Sequence, residues 1–125
     1  MNSDEVKEIE AEMSACRCMT PPFPGADFYS QFVGIDRTNG RFGKVSVETC
    51  RRCGAQWITY SVEDEAFSES GRWYRGLASP EMLMDLTPEG AVGTLESLPW
   101  HYCGGSFFRS TGRKRSGPGP ILVDL

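Results

Sequence analysis

Four of the five cysteines in this 125-residue chain fall in two close pairs, Cys16-Arg17-Cys18 and Cys50-Arg51-Arg52-Cys53. The second pair is followed at once by Gly54 and then by a β-favouring run, residues 56–62. A two-residue gap lets two thiolates face one ion while the N–H groups of the turn point at the first sulfur, and the glycine frees the backbone to turn away afterwards. Two such half-sites constrain the fold more than any other feature, because residues 16–18 and 50–53 must meet for the four sulfurs to surround one metal. A domain of this length has a modest core, and a metal cross-link adds to it.

The local pattern between and after the pairs is mostly that of strands. Residues 28–37 and 42–49 read as two strands, with Thr38-Asn39-Gly40-Arg41 between them. Asn-Gly tolerates the positive φ of a type I′ turn and is the strongest short hairpin signal. Residues 56–62 alternate Ile58, Tyr60 and Val62 against Trp57, Thr59 and Ser61, and 72–78 reads as a further strand after a polar loop over 63–71. Ser79-Pro80-Glu81 and Thr87-Pro88-Glu89 each place a cap residue before proline and an acid, the signature of a helix start. The second helix is expected over 88–97, with Ala91, Val92, Leu95 and Leu98 facing inward and Gly90 and Gly93 kept for close packing on the sheet. Residues 100–108 are aromatic and read as a last short strand or a close backbone approach. At the start, Val6, Ile9 and Met13 lie on one stripe of an acidic helix over 3–14. Pro21, Pro22 and Pro24 then bar helix and central strand alike and make a stiff connection. These elements predict one α+β domain over 1–125. It holds a small antiparallel meander of three to five strands, a zinc knuckle at one end and two or three short helices. Residues 1–15 form its acidic helix and 109–125 a basic, Gly/Pro-rich tail.

Register brings the cysteines together. A two-residue Asn39-Gly40 loop pairs Thr38 with Arg41 and sets Cys50 opposite Tyr29, so the first strand starts at the end of the sheet that carries Cys50 and Cys53. The Pro-rich segment is long enough to fold back and deliver Cys16 and Cys18 there, and a slip of one residue moves a strand by only about 3.3 Å. The expected metal ligands are Cys16, Cys18, Cys50 and Cys53, with zinc as the ion and Arg17, Arg51 and Arg52 beside the thiolates to offset their charge. An alternative set keeps one of Cys16 and Cys18 and takes its fourth ligand from His101 or Cys103.

Cys50-Arg51-Arg52-Cys53-Gly54 and the strands around it resemble the broad zinc-ribbon and zinc-knuckle class. The resemblance implies a closed, structural metal site in a protein that binds something, and it implies no activity. The single residue between Cys16 and Cys18 departs from the pattern, since zinc ribbons usually separate each pair by two or more.

Charge and the remaining residues set three function classes. Seventeen acidic against thirteen basic residues give a net charge of −4, which argues against nucleic-acid binding by the whole surface. The first class is a zinc-stabilised protein-binding module, whose acidic balance suits a basic partner, as in an inhibitor or immunity protein. The second is a thiol redox or other cysteine-based enzyme, using Cys50 and Cys53, Cys16 and Cys18, or a Cys103–His101 nucleophile–base pair. The third is a nucleic-acid binder that combines Arg109, Arg113, Lys114 and Arg115 with Trp73, Tyr74, Phe107 and Phe108 as stacking surfaces. The carboxylates Asp27, Asp36, Glu48, Glu63, Asp64 and Glu65 show no paired-acid spacing and are expected mostly in solvent. No apolar run approaches a membrane span and the acidic N-terminus has no secretory character, so a reducing cytoplasm is the expected location.

Overall fold

The computed structural model describes residues 16–38, 40–63 and 69–117. The helix expected over 3–14 and the end of the basic tail lie outside the described residues. Six strands form one sheet, β1 Phe28–Asp36, β2 Gly43–Cys50, β3 Gln56–Val62, β4 Arg72–Ala78, β5 Trp100–Gly105 and β6 Ser110–Ser116. Their spatial order is their chain order and each pairs antiparallel with the next, so the sheet is a plain up-and-down meander.

This corrects the expected layout. The sheet has six strands instead of three to five, and the described helices are short, α1 Pro80–Met84 and α2 Ala91–Ser97, so the fold is mostly β. The strand missed is β6, whose sequence STGRKRS reads as tail. It has no apolar residue to alternate, and an edge strand that pairs only with β5 needs none.

The first hairpin also differs. Its last strand pair is Asp36 with Gly43, so the ladder stops before the Thr38–Arg41 pair that a two-residue loop requires. Asp36 ends the strand early by turning its carboxylate onto the Thr38 N–H (2.9 Å) and hydroxyl (2.6 Å). A bulge between Phe32 and Gly34 then shifts the register by one, and Cys50 faces Phe28 instead of Tyr29.

Both faces of the sheet carry packed side chains. On one, Val45, Ile58, Tyr60, Val62, Tyr74 and Cys103 are buried beneath Ala91, Leu95 and Leu98 of the helical segment. Ser79 caps α1 by accepting from the Met82 N–H (3.3 Å), as its Ser-Pro-Glu motif predicts. The second helix starts three residues later than its Thr-Pro-Glu motif suggests, because residues 88–90 form a turn. The glycine that permits close packing is Gly76 in β4, where a methyl group would collide with Leu95 and Leu98. Gly93 has open space around it and Gly90 approaches only Thr87, so neither serves the packing role expected of them.

The opposite face has no α-helix among the described residues. Trp57, Tyr102 and Phe28 are buried there together with Cys18 and Cys50. The cover is the segment 16–24, whose Phe23 stacks against Trp57, Trp73 and Tyr102 at centroid distances of 5.8, 5.8 and 5.2 Å. The Tyr102 hydroxyl donates to the Met19 carbonyl and ties that segment down.

Candidate metal centre

The Cys50–Cys53 half-site is built from the end of β2. The Cys50 N–H donates to the Ala55 carbonyl (2.8 Å) and the Gly54 N–H to the Cys50 carbonyl (3.0 Å), closing a tight turn between β2 and β3. Gly54 sits at φ +78°, a left-handed conformation that a side chain would strain. The Arg52 N–H points at the Cys50 sulfur at 3.4 Å. The Cys16–Cys18 half-site rests on a one-turn 3₁₀ helix, Arg17–Met19, which begins between the two cysteines and changes the backbone direction within one residue. Arg17 pairs with Asp27, and the Arg51 N–H bonds the Asp27 carbonyl (2.9 Å), so a single residue links both half-sites.

These contacts bring the four sulfurs within 4.8 Å of one another. Cys16 lies 3.7 Å from Cys50, and Cys18 lies 3.5 Å from Cys53. Four thiolates about 2.3 Å from a tetrahedral zinc ion have sulfurs roughly 3.8 Å apart, so the residues fit such an ion. The four cysteines are therefore close enough to hold a metal ion. Cys18 and Cys50 are buried and Cys16 and Cys53 half-buried.

The electrostatics show what the cluster needs. Burial and the hydrogen bond with Cys53 push the Cys18 thiol far up. Burial also pushes Cys53 up, against the Ala55 N–H. At Cys50 burial again opposes ionisation, but the N–H groups of Cys53 and Arg52 and the neighbouring thiols prevail and bring it down to about 7. Burial thus opposes ionisation at Cys18 and Cys53, and a bound metal ion would favour their ionised form.

Neither His101 nor Cys103 belongs to this group. Both lie in β5, buried, with Cys103 in the helix-side core and His101 6.3 Å from the Tyr74 ring. Burial and the Arg115 charge lower the His101 pKa.

The basic and aromatic residues that sequence grouped as a stacking surface are dispersed. Tyr74 is fully buried while Trp73 packs on Phe23 across the sheet, and Arg113 lies over Phe108 while Lys114 lies over Trp100.

Three of the carboxylates expected in solvent are engaged. Asp36 is buried and accepts from Tyr60 (2.6 Å), Asp27 pairs with Arg17, and Glu48 pairs with Arg75. Arg75 is the functional candidate that sequence missed. It is 4% exposed, it stacks over Phe28 (4.3 Å) and Phe23 (4.6 Å), and its Nε and Nη2 have no hydrogen-bond partner among the described residues. An arginine in the alternating strand RWYRGLA carries no local sign of such burial.

No helix among the described residues is long and apolar enough to cross a membrane. No family model, curated protein or solved structure matches the chain.

Proposed function

We propose that Cys16, Cys18, Cys50 and Cys53 hold one structural zinc ion, and that the chain acts as a protein-binding module of the inhibitor or immunity kind. The convergence of four sulfurs within 4.8 Å carries the metal reading. All four positions around a tetrahedral ion are then filled by protein, so the metal fastens the 16–24 segment to the β2–β3 turn and has no open position for substrate. Four thiolates on a divalent ion leave a charge of −2, beside which Arg51 and Arg52 stand.

The partner reading draws on the exposed Tyr29, Phe32 and Phe42, each about three-fifths accessible, in β1 and its hairpin. Tyr29 lies under Arg51 at 4.0 Å and Phe32 beside Lys44 at 5.8 Å, so aromatic surface is offered together with charge, a combination favoured at interfaces. Elemental analysis and thiol titration of the purified protein test the metal. Affinity capture with Tyr29→Ser and Phe32→Ser as controls tests the partner surface.

A thiol redox role is the second reading, favoured by the Cys50 pKa near 7. A strand precedes Cys50 and a second strand follows Cys53, with none of the helix N-terminus that usually activates such a thiol. Freely titratable thiols and substoichiometric metal would select it.

A further inference from the structure

The sheet face that carries the cysteines is not fully covered. Beside Phe23 it opens into a cleft of about 370 Å³ lined by Phe23, Glu48, Thr59, Ser61, Trp73 and Arg75, within the size range of small-molecule sites. Thr59 and Arg75 are direct cross-strand partners, which puts both side chains on one face. The composition is that of a recognition site, with two aromatic rings, a few hydroxyls and one ion pair whose arginine is buried.

The ion pair is incomplete. Glu48 takes Nη1 of Arg75, while Nε and Nη2 are buried without a hydrogen-bond partner among the described residues. Those two groups form one edge of the planar guanidinium, the edge that matches both oxygens of a carboxylate at once. A buried donor left without an acceptor is costly, and more so on a charged group. An acceptor that reached this edge would remove that cost. Glu48 limits its charge, because a dianion would meet the glutamate as well as the arginine.

We propose that this cleft binds a monoanionic carboxylate on the Nε–Nη2 edge of Arg75, with the ligand's apolar body against Trp73 and Phe23. The cleft lies on the cysteine face of the sheet, and Arg75 is within electrostatic range of Cys18 and Cys50, so all titrations compare protein in one metal state. The carboxylate can come from a free organic acid or from the C-terminus of a polypeptide.

Titration of the full chain with phenylacetate and with N-acetyl-phenylalanine, followed by amide shifts in ¹H–¹⁵N spectra and by tryptophan fluorescence, tests the proposal. Saturable shifts at Thr59, Ser61, Trp73 and Thr111 at millimolar concentration are expected from at least one of the two. Tighter binding of phenylacetate assigns a free acid, and tighter binding of the N-acetyl amino acid assigns a polypeptide terminus. Arg75→Lys keeps the charge but loses the fork, and should weaken binding about tenfold. Because Arg75 is buried and its replacement can unfold the protein, Ser61→Trp serves as the second variant. Ser61 is exposed and lines the cleft, so the bulky ring should abolish the shifts while the fold stays intact. Absence of saturable shifts with both acids, equal binding of phenylacetamide, inorganic phosphate binding as tightly as the acids, or unchanged binding by Ser61→Trp would each overturn the assignment.

Discussion

The sulfurs of Cys18 and Cys53 lie 3.5 Å apart although 35 positions separate them in the chain. Cys16 and Cys50 repeat the relation at 3.7 Å across 34 positions. Each cysteine of the first pair thus meets one of the second, so the two half-sites interlock instead of lying side by side. One metal ion there closes a long loop, where a cross-link removes the most unfolded-state entropy.

Metal content follows directly. Protein prepared with zinc should carry about one equivalent per chain, the capacity of one four-ligand site. Cys16→Ser should lower that occupancy and Cys103→Ser should leave it unchanged. Equal zinc in both variants would mean that the sulfur cluster is not the binding site.

Chelation should release more than an ion. The segment 16–24 has no strand pairing and is held by the cysteines, by Phe23 and by the Tyr102–Met19 bond. Zinc removal should therefore lower the melting temperature and raise solvent quenching of Trp57 and Trp73, since metal-binding energy is folding energy at such a site. An unchanged melting curve would make the metal incidental to the fold.

Asp36 gives the pH dependence. Burial works against its charge, but hydrogen bonds from Thr38 and Tyr60 outweigh it and hold the carboxyl below its ordinary value. Its stabilisation is therefore full above the unfolded pKa, near ~3.9, and is lost as pH falls through the folded value. Asp36→Asn should destabilise by about 1.5–3 kcal/mol at neutral pH, the range for a hydrogen-bonded charge. The difference from wild type should shrink in acid, and urea melts at several pH values read both effects. A difference that grew in acid would reverse the assigned sign.

Gly76 admits no side chain. Gly76→Ala should cost about 1–3 kcal/mol by overpacking against Leu95 and Leu98, whereas Gly93→Ala in α2 should be neutral or slightly stabilising. Equal melting temperatures for the two variants would contradict the packing described.

Cys103 is wholly buried in the helix-side core. Cys103→Ala should cost about 1 kcal/mol, as loss of a small buried group. Iodoacetamide should reach Cys103 slowly in the folded protein, at a rate that does not change in His101→Ala. Rapid, His101-dependent alkylation would instead mark a nucleophile.

The strands from Phe28 to Ala78 are legible because each is a run rich in β-branched and aromatic residues bounded by turn or polar residues. Convergence of the cysteines is legible for a different reason: once the first hairpin is recognised, its ends are fixed to within a residue or two. The bulge near Val33 moves the register by one and leaves the meeting of the half-sites intact. β6 is invisible because an edge strand of Ser, Thr, Gly, Arg and Lys follows no apolar pattern. Arg75 is hidden more deeply. Its surroundings come from Phe23, Phe28, Glu48 and Trp57, four separate parts of the chain, and no spacing within β4 reports on them.

An open meander ends in two borders, and among the described residues the two are guarded unequally. β6 presents Arg113, Lys114 and Arg115 in succession, a row of cations that repels a like strand. β1, FYSQFVGID, carries no cation at all, and its sole acid, Asp36, is turned inward. Among the described residues, charge thus guards one border of the sheet, while the strand at the other carries no cation of its own.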